Sequence, residues 1–362
     1  MDEFVSSRDF SGVVLVARNG QVLFERAYGL ANREHSVPNK LETPFRLGSV
    51  TKQFTAMAVM ILVERGKLDV NDPICKYVEN CPKVWAGIRI RHLLNHTSGI
   101  PDFTGFPDVD RFSRLPMTPL ETMALFRDKP LEFLPGERFR YDNSGYLVLG
   151  YIIERVSGER YEDFLRKNIY EPLGMSDSGY DHPWMILKNR ASGYERKDEQ
   201  VVNATMIEMD APLGGGSMYS TVRDLLRWDQ ALYSEKLVSR KSLGQIFTPY
   251  RGPYIPVESW ERGLYARHQY GFGWFITKWF DRDLVWHAGI INGFCSAILR
   301  YPQDHALVVV LENMEPDLAK ATDPDLNMDP MTVANGLSAI AFGLPSETSP
   351  ISARSRHSTI SK

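Results

Sequence analysis

Two apolar segments around a tight turn form the first clear pattern in the chain. Gly12–Arg18 and Gln21–Tyr28 are rich in Val, Leu and Phe, and Asn19-Gly20 separates them. Asn-Gly is the strongest short-range hairpin signal, because both positions of the turn require a positive φ. The pattern therefore predicts two antiparallel strands near the start of the chain.

A helical periodicity follows the hairpin. Apolar residues recur at i, i+3, i+4, i+7 and i+8, namely at Phe54, Met57, Ala58, Ile61 and Leu62. This spacing places all of them on one face of a helix. We expect a buried helix that runs to about Gly66.

The middle and the end of the chain differ in pattern. Between 67 and about 267, apolar periodicities are broken by Pro and Gly, and the predicted helices are Thr118–Phe126, Gly145–Val156, Tyr161–Ile169 and Thr221–Leu232. The later segments read as strands, over Tyr270–Phe280, Asp283–His287, Gly293–Arg300 and Asp304–Leu311. A last helix is predicted over Thr332–Phe342, after a loop at Glu315–Asp329.

Strands at both ends with helices between them predict an α/β (α+β) fold. Its antiparallel sheet would be formed by both chain ends, flanked by helices, with a mostly helical lobe inserted. We assign residues 1–66 and 268–345 to the α/β lobe and 67–267 to the helical lobe, with a cleft between them as the expected site. Residues 346–362 contain too little apolar content to fold and are expected to be disordered.

Composition narrows the class of partner. The chain has 362 residues, of which 43% are hydrophobic, so it can bury a large core. No run approaches the roughly 20 apolar residues of a membrane span. A formal net charge of -3 and a pI near 6.3 argue against nucleic acid and anionic membranes. We expect a small-molecule or peptide substrate.

The N-terminal segment and the three cysteines say little about the compartment of the protein. The segment Met1–Phe4 lacks the basic and apolar regions of a signal peptide, so the sequence as written predicts a cytoplasmic protein, and an exported one if a leader has been removed. Cys75, Cys81 and Cys295 lack metal-ligand spacing and do not indicate a disulfide framework. A bridge between Cys75 and Cys81 is left open.

The buried helix begins with a chemically suggestive pair. Ser49 and Lys52 are three residues apart, so on a helix they share a face and a hydroxyl lies near an amine. A lysine in an apolar surround favours its neutral form and could accept the serine proton. The unpaired N–H groups of the helix start would favour negative charge on an attacked carbonyl.

Two further motifs follow in order, Tyr141-x-Asn143 and His287-x-Gly289. With the Ser-x-x-Lys pair, this order resembles the serine β-lactamase and penicillin-binding-protein superfamily, in particular its class C β-lactamase-like branch, which also holds esterases and D-amino-acid peptidases. The phrases His92–Ile100 and Asn168–Met175 add to the likeness. The resemblance implies a metal-free and cofactor-free serine hydrolase with the fold predicted above.

The resemblance also implies roles for single residues. Ser49 would form an acyl-enzyme, and either Lys52 or Tyr141 would be the base. Asn143 would bind Lys52 and a polar group of the substrate. The oxyanion hole would consist of the backbone N–H groups of Ser49 and Ile290. Gly289 would let the strand edge approach the substrate closely.

Two departures from the usual motifs bear on the substrate. His287 stands where β-lactamases have Lys, and a neutral imidazole holds a carboxylate less strongly. Asp142 stands where Ser is more usual, and it would repel an anionic substrate only if it faces the cleft. We therefore rank short carboxylic esters and D-amino-acid peptides or amides above β-lactams. The alternative is a non-catalytic protein of this fold that binds peptidoglycan fragments or acts as an assembly module.

Three other features have simpler readings. His92 and His96 are four residues apart but lack the neighbouring Glu of a metalloprotease, so packing or capping is expected. Gly214–Ser217 is not followed by the Lys of a phosphate loop and is expected to form a wall of the cleft. The aromatic residues Trp274, Trp279 and Trp286 are assigned to the core, with lining of the cleft as the alternative.

Overall fold

The computed structural model describes residues 1–197, 200–250, 252, 269–315 and 329–346. Its strands are β1 (Gly12–Arg18), β2 (Gln21–Tyr28), β3 (Leu30–Asn32), β4 (Val37–Pro38), β5 (Phe45–Arg46), β6 (Gly179–Tyr180), β7 (Tyr194–Lys197), β8 (Gln200–Asn203), β9 (Met218–Ser220), β10 (Gln269–Tyr270), β11 (Phe275–Trp279), β12 (Arg282–Ile291), β13 (Phe294–Tyr301), β14 (Ala306–Glu312) and β15 (Met314–Glu315).

The helices in the same residues are α1 (Asp2–Ser6), α2 (Thr51–Glu64), α3 (Ile90–Leu94), α4 (Val109–Phe112), α5 (Pro119–Ala124), α6 (Ser144–Ser157), α7 (Tyr161–Leu165), α8 (Glu171–Leu173), α9 (Val222–Ala231), α10 (Arg240–Ile246) and α11 (Asp329–Ala341). Within the described ranges, no helix is long and apolar enough to cross a membrane.

A seven-stranded sheet in the order β10-β11-β12-β13-β14-β1-β2 forms the centre of the fold. All its neighbouring strands are antiparallel, and β1, from the start of the chain, pairs with β14 in the register Gly12↔Glu312 to Arg18↔Ala306. The predicted antiparallel sheet built from both chain ends is thus confirmed, as are the flanking helices. The predicted hairpin around Asn19-Gly20 is also present.

The two faces of the sheet bury different side chains because successive residues of a strand point to opposite sides. Val13 and Leu15 of β1 join the core around α2, whereas Val14 and Val16 join the core that contains α11. Every residue of α2 from Thr51 to Leu62 is buried, so this helix lies inside the molecule. The expected burial of the helix after Ser49 is confirmed.

Several element boundaries differ from the sequence-based expectation. The segment predicted as one strand, Tyr270–Phe280, is two strands joined by a turn in which Gly273 has φ +79°. The strand predicted as Asp283–His287 continues to Ile291, so the whole His287-x-Gly289 motif lies within β12. The predicted helix Tyr161–Ile169 ends at Leu165 and continues as a π-helical turn to Tyr170.

The other predicted helices appear as α5, α6, α9 and α11, each within a few residues of its expected bounds. Cys75 and Cys81 form a disulfide, which resolves the question left open by the sequence. Residues 316–328 of the predicted loop and 347–362 of the predicted tail lie outside the described residues. The assignment of 1–66 and 268–345 to one lobe and 67–267 to another stays a prediction.

Candidate active site

Ser49 lies in a single 3-10 turn, Gly48–Val50, that leads directly into α2. This turn packs against β12 so closely that the contact is backbone on backbone. A Cβ on Gly48 would lie 2.9 Å from the nitrogen of Ile290, and a Cβ on Gly289 would lie 2.8 Å from the nitrogen of Ser49. The backbone nitrogens of Ser49 and Ile290 therefore lie at the same junction.

Gly289 is needed for this packing. A Cβ at this position would lie 2.1 Å from the carbonyl oxygen of Leu47 and 2.7 Å from Ser296 Oγ. The space beside Gly289 is thus filled by the protein itself. This differs from the expected reason for the glycine, which was close approach of the strand to the substrate, and the role of Gly289 toward a substrate stays a prediction.

Lys52 is buried and makes three hydrogen bonds. Its Nζ lies 3.0 Å from Ser49 Oγ, 2.8 Å from Asn143 Oδ1 and 2.9 Å from the carbonyl oxygen of Gly215. Burial lowers the pKa of Lys52 from 10.5 to about 7, although the charges of Asp102 and Asp142 act to raise it. The amine is therefore available as a free base near neutral pH.

The partners of Lys52 suit the neutral amine. Asn143 Oδ1 and the Gly215 carbonyl can only accept hydrogen bonds, so they take the two N–H groups of an –NH₂. The remaining lone pair then faces Ser49, whose hydroxyl is the one group of the three that can donate. This arrangement can accept a proton from Ser49.

The ring of Tyr141 lies beside the amine of Lys52. Its ring centroid is 4.9 Å from Lys52 Nζ, and the ring packs against His96 with 4.3 Å between centroids. It also packs against Phe275 and His287 at 6.3 Å and 6.1 Å. The three sequence motifs are thus brought together around Lys52.

Asn143 is held in place by residues that the sequence analysis did not single out. Its Nδ2 donates to Asp102 Oδ2 at 3.2 Å and to Thr104 Oγ1 at 3.1 Å, and its backbone N–H donates to Asp102 Oδ1. The predicted contact with Lys52 is present, while both amide hydrogens already have protein acceptors. Asp102 caps the 3-10 turn Phe103–Gly105, and no local pattern links it to Asn143, which is 41 residues away.

Asp142 points into the protein. It is 2% exposed, accepts a hydrogen bond from the backbone N–H of Gly145, and lies 3.5 Å from His96 Nδ1. Burial raises the pKa of Asp142 to about 7, against the lowering effects of the Gly145 hydrogen bond and of Lys52. Of the two orientations considered from the sequence, the structure has the one that leaves the cleft free of this side chain.

His287 is also buried, with both ring nitrogens paired. Its Nδ1 lies 2.5 Å from the carbonyl oxygen of Ala288, which can only accept, so Nδ1 carries the proton. Nε2 then accepts from the hydroxyl of Tyr270 at 2.9 Å. Burial, with a smaller effect from Lys52, holds the pKa of His287 well below its usual range. The ring is neutral and faces the protein, and its predicted role in substrate binding stays a prediction.

The three features given simpler readings are placed as follows. His92 Nδ1 accepts from the backbone N–H of Arg89 and caps α3, and His96 Nδ1 accepts from the N–H of Asp142. In the described residues, no group of three or more His, Cys, Asp or Glu side chains could hold a metal ion. Gly215 contacts Lys52 as a wall of the site would, and the tryptophans Trp274, Trp279 and Trp286 are buried, as expected.

A serine hydroxyl beside a buried lysine at the start of a buried helix, packed against strand β12 of an antiparallel sheet, defines the class of serine β-lactamases and penicillin-binding proteins. Comparison with known families agrees with this class. The Beta-lactamase family model matches residues 1–329, and the chain belongs to that family.

Similar proteins and solved structures extend the comparison. The chain is similar to penicillin-binding protein 4* of Bacillus subtilis (strain 168), with 31% identity over 85% of this chain and 69% of that protein. It is similar to an octameric penicillin-binding protein homologue from Pyrococcus abyssi, with a TM-score of 0.79 and 31% identity over 98% of this chain and 78% of that one.

A third similar structure is the D-amino acid amidase of Ochrobactrum anthropi SV3 complexed with D-phenylalanine. Its TM-score is 0.79 at 26% identity, over 94% of this chain and 97% of that one. The chain spans 61% of the length of two further relatives, PbpX of B. subtilis and protein flp of Staphylococcus aureus. Family and neighbours together support a hydrolase.

Proposed function

We propose that the protein is a serine hydrolase that forms an acyl-enzyme on Ser49 and hydrolyses an ester or an amide. The observation that carries the proposal is the hydrogen-bond geometry of Lys52. Its two acceptor-only partners orient the lone pair toward Ser49 Oγ at 3.0 Å. A serine needs such a base to become a useful nucleophile.

The proposed reaction has two halves. Ser49 Oγ attacks the substrate carbonyl while Lys52 takes its proton, and the N–H groups of Ser49 and Ile290 stabilise the oxyanion. The leaving alcohol or amine takes a proton from Lys52 or Tyr141, which gives the acyl-enzyme. Water then attacks the acyl-enzyme carbonyl while the same group takes its proton; the bond between Ser49 Oγ and the acyl group breaks, the carboxylic acid leaves, and a proton returns to Ser49 Oγ.

The charges around the site favour a neutral or cationic substrate over an anionic one. His287 is buried and neutral, and both of its ring nitrogens are paired with the protein, so it offers no positive charge to a carboxylate. The carboxylate of Asp102, which accepts a hydrogen bond from Asn143, lies near Lys52 and adds negative charge to the site. We therefore rank D-amino-acid amides or peptides and short carboxylic esters above β-lactams. The solved D-amino acid amidase is in line with this order.

The first test is hydrolysis of a short nitrophenyl ester by the wild type and by Ser49→Ala. We expect turnover by the wild type and its loss in the variant, by about 10³-fold or more, because the nucleophile is removed. Ser176→Ala, at an exposed serine, is the matched control and should remain active.

Panels of D-amino-acid amides and β-lactams would follow. Equal activity of wild type and Ser49→Ala on every substrate would show that Ser49 is not the nucleophile. Absence of turnover on esters, D-amides and β-lactams alike would favour the non-catalytic alternative, a protein that binds peptidoglycan fragments or assembles.

A further inference from the structure

A cavity lies next to the turn that carries Ser49. It encloses about 240 Å³ and is lined by residues from the small sheet β5-β9-β6, from the segment before β7 and from the turn between β12 and β13. The residues that matter for its chemistry are Arg46, Asp181, Arg190, Tyr219, Asn292 and Phe294.

The position of the cavity follows from the chain itself. Arg46 is three residues before Ser49, and Asn292 is two residues after Ile290. A fully extended chain spans at most about 3.6 Å per residue, so the backbone at Arg46 lies within about 11 Å of Ser49. The cavity therefore borders the catalytic turn, although none of its lining residues belongs to the Ser-x-x-Lys or Tyr-x-Asn motif.

The cavity has a net positive charge. Arg46 Nε lies 2.5 Å from Asp181 Oδ2, and a terminal nitrogen of Arg190 lies 2.7 Å from Asp181 Oδ1. Asp181 is buried and is the one carboxylate among the described residues that line the cavity. Two guanidinium groups thus share a single carboxylate, which leaves one positive charge uncompensated.

Several donors in this cavity have no acceptor among the described residues. Among the described residues, Arg190 Nε is buried without a hydrogen-bond partner, whereas Arg46 bonds Asp181 through its Nε and its terminal nitrogens are not among the buried unpaired atoms. The hydroxyl of Tyr219, which lies opposite Arg46 in the β5–β9 pairing, also makes no hydrogen bond there. A buried donor without an acceptor, as at Arg190 Nε, costs free energy, and an anion would supply an acceptor for it and for the accessible donors of Arg46 and Tyr219.

Most of the remaining side chains in the lining are apolar, beside the polar Ser192, Thr205 and Asn292. Phe294 and Ile207 form part of the wall, with Pro183 and Leu187 on the segment that carries Arg190. The volume is below the range of about 300–1,000 Å³ that is typical of sites for drug-sized ligands. A ligand that matches both the positively charged and the apolar residues of the lining is small, with one anionic group and one apolar group.

We propose that this cavity is a binding site for a small apolar carboxylate, separate from the acylation site. The carboxylate would accept from the free guanidinium nitrogens of Arg46 and Arg190 and from the Tyr219 hydroxyl, and the apolar part would contact Phe294. A planar carboxylate matches the fork of an arginine better than other anions do. This site does not depend on the catalytic role of Ser49.

Calorimetric titration with benzoate tests the proposal, with benzamide as the uncharged isostere and inorganic phosphate as an anion without an apolar part. We expect benzoate to bind the wild type and Ser49→Ala alike, and benzamide and phosphate to bind at least about tenfold more weakly. Arg190→Gln should weaken benzoate by about tenfold and Tyr219→Phe by a few fold. Arg240→Gln, at an exposed arginine of α10, should leave binding unchanged.

The thermal melt of each variant identifies any loss of folding, and Tyr219→Phe, which removes only an unpaired hydroxyl, keeps the test independent of the Asp181 ion pairs. Equal binding of benzoate and benzamide would overturn the proposal, as would unchanged binding in folded Arg190→Gln and Tyr219→Phe. Phosphate binding as tight as benzoate would reduce the cavity to a general anion site. Loss of benzoate binding in Ser49→Ala would place the ligand in the acylation site instead.

Discussion

Burial of Lys52 has two opposing electrostatic consequences. Loss of hydration disfavours the ammonium form, whereas the nearby carboxylates of Asp102 and Asp142 favour it. Desolvation is the larger effect and brings the pKa of Lys52 to about 7. The Lys52 amine therefore titrates close to neutral pH. Two of its partners, Asn143 Oδ1 and the Gly215 carbonyl oxygen, can only accept hydrogen bonds and cannot protonate it.

The pH dependence of kcat/KM follows from this titration. Below a pH of about 7 Lys52 is protonated and cannot accept the Ser49 proton, so we expect kcat/KM to rise with pH through about 7 and then level off. A pH–rate profile on an uncharged nitrophenyl ester measures this directly. A profile without an ionisation between pH 6 and 8 would contradict the role of Lys52 as base.

Asp142 is the necessary control, because its own pKa is raised to about 7 and the two groups interact. The charge of Asp142 raises the pKa of Lys52, so Asp142→Asn should shift the ascending limb to lower pH. If the limb instead disappears in this variant, the ionising group in the wild type is Asp142.

At the scale of elements, the site depends on how tightly β12 packs on the turn before α2. The contact is possible because Gly48 and Gly289 have no side chains at the point where the two backbones meet. The same contact brings the nitrogens of Ser49 and Ile290 together. The geometry of the proposed oxyanion hole therefore depends on the position of β12.

Gly289→Ala should uncouple the two elements. Its Cβ would lie 2.1 Å from the Leu47 carbonyl oxygen, so β12 or the turn must move. We expect a loss of stability of about 1–3 kcal/mol and a fall in kcat of about 100-fold, since small displacements of reacting groups are costly. Urea unfolding and ester hydrolysis measure the two effects.

Gly215→Ala is the matched control within the site. Its Cβ would have ordinary contacts, 3.7 Å from both Lys52 Nζ and Asn143 Oδ1. Activity close to that of the wild type is expected. If both alanine variants are equally active, close packing of β12 on the turn is not required for catalysis.

At the scale of the whole molecule, the sheet and the helices are tied together by a buried ion pair. Arg300 Nε of β13 lies 2.5 Å from Asp229 Oδ1 of α9, and the two side chains are 2% and 1% exposed. The guanidinium also lies over the rings of Tyr233, Phe247 and Trp274. The buried charges of Arg300 and Asp229 thus compensate each other across the contact between β13 and α9.

Arg300→Met should destabilise the protein by about 3–5 kcal/mol, because it leaves Asp229 buried without its cation. The double variant with Asp229→Leu removes both charges and should recover much of this loss. Denaturant unfolding of the two single variants and the double variant measures the coupling. Additive losses in the double variant would show that the pair is not coupled.

Local signals account for what could be predicted. The Asn19-Gly20 turn and the spacing of Phe54 and Met57 act between near neighbours, so the hairpin and α2 were predicted nearly to their ends. The extension of β12 to Ile291 was not predicted from the sequence. Its last residues are stabilised by pairing with β13 and not by their own alternation of apolar and polar residues. The functions assigned to the motif residues stay predictions.

The sequence by itself determined the fold class and the order of the three motifs, since periodicity and turn chemistry are written in adjacent residues. Only the tertiary structure decided the ionisation of Lys52, the inward orientation of Asp142 and the burial of His287. These properties depend on desolvation and on partners far apart in the chain, such as Asn143, which lies 91 residues from Lys52. No local pattern records which distant groups will surround an amine, so its pKa belongs to the folded state alone.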